Sequence, residues 1–199
     1  MRRIFLHKKN GSLDRVSSKK IVYLIGLPGV GKTTVGNIIA KRTGFVLLDH
    51  NITYKEVCRF LPKGTQKAHL LNGRLHLVIM DLLLHSVIPG AVCTMSIRRY
   101  PTYQTIKRAV SLIKQSGAQV YFVKIKCDWE EHQLRISMPS RRGLTKTNTV
   151  QKLKKYMAGP CFEGLKNYPP LIIDNTKMPA YKCAEKIIST LKLSTSSRR

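Results

Sequence analysis

Residues 26–34 read GLPGVGKTT, directly after the apolar run IVYLI at 21–25, and no other stretch restricts the fold as strongly. Gly26, Gly31, Lys32 and Thr33 satisfy the spacing G-x-x-x-x-G-K-[ST], with Gly29 as a further glycine inside the loop. Glycines carry no Cβ, so backbone N–H groups can turn inward around phosphate oxygens. A helix that begins at the end of such a loop points its positive terminus at the same anion. The pattern therefore requires a buried strand, a tight loop through Gly26, Leu27, Pro28, Gly29, Val30 and Gly31, and a helix opening on Lys32, Thr33 and Thr34. In this motif the lysine reaches the β- and γ-phosphates of a nucleotide and the Thr33 hydroxyl ligates Mg²⁺.

The rest of the chain alternates in the same way. KIVYLI (20–25), FVLLD (45–49), AVCTMSI (91–97), QVYFVKI (119–125) and LIID (171–174) read as five short strands. Between them lie helical patterns. The first is closed by Gly44, the second runs to Phe60 with Asn51 or Thr53 as its cap, and the third spans 66–86. Further helices span 102–116, start at Trp129 with Asp128 as N-cap, end at Gly159, and follow Pro179. Strands alternating with helices predict an α/β fold: a five-stranded parallel sheet covered on both faces, three layers in all. One domain over 20–193 is expected, between a basic arm (1–19) and a polar tail (194–199). In such sheets ligands bind at the carboxyl ends of the strands, so site residues belong at or just after 25, 49, 97, 125 and 174.

Thirty-six Lys and Arg against ten acids give a net charge of +26. That field favours anionic partners, nucleotides and nucleic acid among them, or reflects solvated basic faces. No apolar run approaches the length of a membrane span, and the N-terminus lacks the apolar core of a secretory signal. It loosely resembles a mitochondrial presequence or is a basic arm. Cys58, Cys93, Cys127, Cys161 and Cys183 are widely spaced without a C-x-x-C pair, the usage of reduced thiols in a cytoplasmic protein.

Ten carboxylates can be sorted one by one. Asp14 precedes the first strand, Asp81 and Glu185 lie inside helices, Glu130 and Glu131 open one, and Glu163 sits in a loop. Asp49, Glu56, Asp128 and Asp174 remain, and all but Glu56 stand at strand ends. Asp49, closing the second strand, is placed to accept a hydroxyl proton or to hold a magnesium-bound water, or else to cap the next helix. His50 is the second candidate base. The third strand ends in Thr94, Ser96, Arg98 and Arg99 where nucleotide-hydrolysing proteins of this kind carry a magnesium-shell acid. That absence, with the lack of a guanine-selecting N-K-x-D, weighs against a GTPase or an AAA-type motor. Arg98 and Arg99 are instead placed to bind an anionic acceptor.

GLPGVGKTT, FVLLDHN, VYFVKIKCDWEEHQLRISMPSRRG and LIIDNT together resemble the small P-loop kinases: shikimate kinase, gluconate kinase, chloramphenicol phosphotransferase and the nucleoside monophosphate kinases. The resemblance spans about 20–192. It implies a P-loop fold with a small helical lid at about 135–150, ATP and Mg²⁺ as cofactors, and transfer of the γ-phosphoryl group. It implies that Arg135, Arg141 and Arg142 close over the phosphates, their planar forks matching the transferring oxygens. It also implies that Asp174, Asn175 and Thr176 pass over the adenine, and that Asp49 acts as base or substrate anchor. The chain departs from shikimate kinases in having DHN for D-x-D after strand two and no Gly-Gly-Gly run after strand three. The expected activity is phosphoryl transfer to a hydroxyl or phosphate of a small, anionic acceptor. The rival readings are a polynucleotide 5′-hydroxyl kinase and a nucleotide-binding interaction protein without turnover.

Overall fold

The computed structural model describes residues 18–96, 102–141, 147–158 and 168–195. Five strands, β1 (Lys20–Ile25), β2 (Val46–Asp49), β3 (Gly90–Met95), β4 (Gln119–Lys126) and β5 (Leu171–Asp174), form one parallel sheet in the order β2-β3-β1-β4-β5. The helices are α1 (Lys32–Thr43), α2 (His50–Val57), α3 (Gln66–Leu84), α4 (Thr102–Gln115), α5 (Trp129–Ser137), α6 (Val150–Met157) and α7 (Ala180–Thr190), with a short 3₁₀ turn at Pro139–Arg141.

β1 is central and apolar at every position from Ile21 to Ile25 because both of its faces are covered. Ile21, Tyr23 and Ile25 point into a core shared with Met80 and Leu83 of α3 and Ile106, Ala109 and Ile113 of α4. Val22 and Leu24 point the other way, against Val35 and Ile39 of α1 and Cys183, Ala184 and Ile187 of α7. This alternation is the strand's two-residue period read through a sheet buried on both sides. It makes the three layers. The strand order reverses at β1, so the loop that leaves its carboxyl end stands at the switch point where such sheets bind ligands.

Some boundaries differ from the expectation. The helix after β2 ends at Val57, not Phe60, and the turn beyond it leaves Phe60 81% exposed. Its cap is neither Asn51 nor Thr53 but Asp49, whose side chain accepts from the Asn51 N–H. An aspartate ending a strand in extended conformation is already in the geometry an N-cap needs. Asp128 caps α5 and Pro179 opens α7, as their positions suggested. Gly159, Cys161, Glu163, Arg98, Arg99 and Arg142 lie outside the described residues. Among the described residues no helix is long and apolar enough to cross a membrane.

A polar chain crosses the α3 side of the core. The Tyr23 hydroxyl and His76 Nε2 are 3.0 Å apart, and Tyr23 stacks on Phe122 at 5.2 Å. Burial, reinforced by His50 nearby, pushes His76 down to about 4 from its ordinary 6.5. Below pH 6.5 an unfolded His76 takes up a proton that the folded one refuses. Stability is therefore full above pH 6.5 and falls as the pH drops towards 4, by about 3 kcal/mol from this residue. Urea unfolding at pH 7 and pH 5 should show a marked drop in midpoint. His76→Gln should shrink that drop, because glutamine reaches the Tyr23 hydroxyl without titrating.

Candidate active site

The loop after β1 owes its shape to glycines that nothing else can replace. Gly26 and Gly29 sit at φ 149° and 96°, in the left-handed region. A Cβ on Gly26 would run into the Ile125 carbonyl at the end of β4, and one on Gly29 would come within 2.8 Å of Ile136 on α5. Lys32 opens α1 and is 9% exposed; its ammonium donates to the Gly26 and Leu27 carbonyls at 2.8 and 2.7 Å. Burial pushes its pKa down to about 7, with the Arg141 guanidinium acting in the same direction and Asp49 opposing.

Asp49, at the carboxyl end of β2, is 5% exposed and accepts four hydrogen bonds. Its Oδ2 takes one from the Thr33 hydroxyl at 2.9 Å. Its Oδ1 takes the Thr94 hydroxyl at 2.9 Å, the Asn51 N–H at 2.9 Å and the Asn51 amide at 3.0 Å. The register of the sheet sets Asp49 beside Thr94, so β3 presents a hydroxyl that donates to the acid at the end of the neighbouring strand. Capping and site geometry are thus one arrangement in Asp49, not alternatives.

Opposite Asp49, α5 and the loop after β5 close on the cradle. His132 Nε2 donates to the Pro28 carbonyl at 2.7 Å. Asn175 is 3% exposed; its amide donates to the Val30 carbonyl at 2.9 Å while its side-chain oxygen accepts from Arg135 at 2.9 Å. Arg135 also donates to the Asn175 carbonyl at 2.9 Å and to Glu131 at 2.6 Å. Its guanidinium is committed to this junction. Arg141 donates to the Thr147 carbonyl at 3.0 Å and is near enough to Lys32 to oppose its charge. Asp174 and Thr176 bond to each other, and Thr176 accepts the Asp128 N–H, so of Asp174, Asn175 and Thr176 only Asn175 lines the cavity.

All of this surrounds a cavity of about 990 Å³. One end holds Gly29, Gly31, Lys32, Thr33 and Thr34, with Arg135, Asn175, Met178 and Ala180 beside them. The rest of its lining includes His50, Asn51, Tyr54, Lys63, His69 and Ser96, with Arg141, Lys152, Lys155 and Tyr156. Among the described residues no carboxylate lines it. Tyr54 is stacked between the rings of His50 and His69, at 5.9 and 4.9 Å. Burial, with His69 beside it, pushes His50 down to about 4, so its imidazole is neutral at physiological pH and a weak proton acceptor.

Sequence reasoning missed several of these residues. Thr94 stood at a strand end and was legible there, and Asn51 was read only as a cap. Lys63, His69, Lys152, Lys155 and Tyr156 carry no local signal; only the fold brings them to one wall.

A family model described as an AAA domain matches residues 21–160. The chain belongs to that AAA-domain family. The third strand, Gly90–Met95, carries no acid. Among solved structures, an unliganded sugar kinase from Janibacter sp. HTCC2649 is 17% identical, with 88% of this chain and 95% of that one covered and a TM-score of 0.62. The Mycobacterium tuberculosis APS kinase CysC in complex with AMPPNP and APS is 15% identical, covering 88% and 98%, TM-score 0.58. Shikimate kinase from Acinetobacter baumannii in complex with shikimate is 18% identical, covering 87% and 93%, TM-score 0.57. No curated protein matches the chain in sequence. At these identities the likeness is one of fold, and the fold is that of the small P-loop kinases.

The Asn175 junction gives a direct test of how the cradle is held. Asn175→Ala leaves the Val30 carbonyl and one Arg135 N–H without their partner. It should lower the unfolding free energy by about 1–3 kcal/mol in urea titration. Asp174→Ala, on the exposed side of the same loop, should change it by less.

Proposed function

We propose that the chain is an ATP- and Mg²⁺-dependent kinase that moves a γ-phosphoryl group to a hydroxyl or phosphate of a small acceptor. The observation that carries this reading is the Asp49 carboxylate, which lies just behind the cavity wall and accepts from two residues that line it, Thr33 at the start of α1 and Asn51 at the start of α2. The donor set fits the cofactors: a glycine loop that a Cβ would fill, a buried lysine, and a hydroxyl paired with a carboxylate oxygen. When bound, Mg²⁺ neutralises charge on the phosphates and ATP supplies the transferred group.

In this reading Lys32 and the loop amides hold the β- and γ-phosphates, and Thr33 and Asp49 hold the metal shell. Three donors saturate Asp49 Oδ1, which leaves Oδ2, the oxygen bonded to Thr33, for that shell or for orienting the acceptor hydroxyl. Arg141 supports the charge of the transferring group, with Arg142 assigned the same role by its spacing. Arg135 acts through Asn175 by fixing the loop beside the base. His50 presents a neutral ring to the acceptor, and Lys63, Lys152 and Lys155 favour an anionic one.

Asp49→Asn should lower phosphoryl transfer by about 10²–10⁴-fold while an ATP analogue still binds. ATP consumption with pooled metabolites, nucleosides and oligonucleotides measures this and tells a small acceptor from a nucleic-acid end. Transfer at the wild-type rate in that variant removes Asp49 from the acceptor side, and activity confined to oligonucleotide 5′-hydroxyls overturns the small acceptor.

The Lys32 pKa yields a separate test. A lysine near 7 in the free protein must take up a proton to bind phosphate at higher pH, because the bound anion favours the charged form. Affinity for a non-hydrolysable ATP analogue should therefore be greatest below about pH 7 and fall by up to about tenfold per pH unit above it. Calorimetry at pH 8 in buffers of different ionisation enthalpy should register proton uptake on binding. Lys32→Ala should bind far more weakly and lose this uptake.

A further inference from the structure

The outer face of α3 carries an apolar stripe that the described residues leave exposed. Leu71, Leu75, Val78 and Leu82 are 36, 37, 57 and 66% exposed. Their spacing of i, i+4, i+7, i+11 lines them up along one side of the helix. The same helix buries Ala68, Asn72, His76, Met80, Leu83 and Leu84 on its inner side, so the stripe is a second apolar face, not a frayed edge of the core. Fifteen large hydrophobics are exposed among the described residues, and with Leu70 five of them sit on this helix. Scattered exposed leucines need no explanation, but a concentrated stripe in so cationic a chain does.

The charges beside the stripe indicate what covers it. Arg74 and Asp81 are both exposed and border the same side of the line. Consider a second α3 laid antiparallel about a two-fold axis midway between Leu75 and Val78. Leu75 then faces the partner's Val78, and Leu71 faces the partner's Leu82. Arg74 falls about 3 Å along the axis from the partner's Asp81, two residues of helical rise, and on the same side of the seam. A two-fold axis makes each of these contacts twice. Asp81, which also lies 3.6 Å from His85 Nδ1 of its own helix, is one of only ten acids in the chain. Its place where a neighbouring copy brings Arg74 is the charge complementarity that selects this occupant.

We propose that the outer face of α3 is a self-association surface, on which two copies of this chain pack their α3 helices antiparallel through Leu71, Leu75, Val78 and Leu82. The two copies also repel, each carrying +26. That repulsion is screened within about 8 Å at physiological ionic strength, whereas apolar burial is not weakened by salt. Added salt therefore strengthens this association, the reverse of what it does to a contact made by charge alone.

Sedimentation equilibrium of the full chain, from micromolar to hundred-micromolar protein at physiological and raised salt, tests the proposal. The expected result is a two-chain species whose fraction rises with salt. Leu75→Glu combined with Val78→Glu, both at exposed positions, should remain a single chain at every concentration with an unchanged circular dichroism spectrum. Arg74→Asp or Asp81→Arg alone should weaken association by about five- to tenfold, and the two together should restore it. A wild-type chain that stays monomeric throughout overturns the proposal, and so does a Leu75→Glu, Val78→Glu variant that associates as the wild type does. Loss of association in the apolar variant without rescue by the double charge exchange overturns the antiparallel pairing.

Discussion

One carboxylate ties four elements of this fold together. Asp49 ends β2, caps α2, accepts from Thr94 on β3 and accepts from Thr33 on α1. A buried carboxylate is tolerated only where donors replace its water, and here four of them do. The consequence is positional. The side chain cannot move without releasing the end of β2, the start of α2 and the first turn of α1 together. Whatever occupies the loop after β1 therefore meets an acid already fixed beside it.

The opposite flank of the loop is held by a different device with the same logic. Asn175 faces Val30 with its amide and Arg135 with its oxygen, and Arg135 returns to the Asn175 carbonyl and to Glu131. His132 on the same helix secures Pro28. The loop is thus clamped from β2 and β3 on one side and from α5 and β5 on the other, which is where a central β1 puts it. Lid spacing alone would assign Arg135 to the phosphates. In the structure its fork instead matches a backbone carbonyl, an amide oxygen and a carboxylate at once, a set that a flexible lysine ammonium would not fill in the same plane.

How much of this is legible in the sequence depends on range. The phosphate loop, the five strands and their parallel arrangement follow from local pattern, because glycine placement and a strand buried on both faces leave direct signatures. Asp49 could be singled out because carboxylates are few and strand ends are privileged in this class of sheet. Its partners could not. That Thr33 and Thr94 converge on it is a matter of sheet order, and β3 lies between β2 and β1 for reasons no local window contains. The same limit explains why Asp174, Asn175 and Thr176 read alike in sequence and differ in space: the chain turns after β5, so that Asn175 goes inward and its neighbours outward. The α3 stripe is the opposite case. Residues 66–86 look simply apolar, and only the inner face given by the fold shows that Leu71, Leu75, Val78 and Leu82 are left over.

The two ends of the cavity are built to different standards, and that asymmetry bears on where specificity resides. At the end beside α1, Lys32, Thr33, Arg135 and Asn175 each have a partner at 2.6 to 2.9 Å. Elsewhere the walls are longer side chains from the 57–65 turn, α3 and α6, among them Lys63, His69, Lys152 and Lys155. Beneath them Asn72 is fully buried with its side-chain oxygen unpaired, and its nitrogen lies 3.0 and 3.4 Å from the two ring nitrogens of His50. Two such similar distances place the amide against the ring, not along one lone pair, so neither group is fully satisfied. An unpaired buried amide costs roughly 1–3 kcal/mol, which makes the α2–α3 region the less stable part of the site. The cavity thus joins a wall fixed by short hydrogen bonds at α1 and the loop before it to a wall at α2 and α3 that keeps an unpaired buried amide.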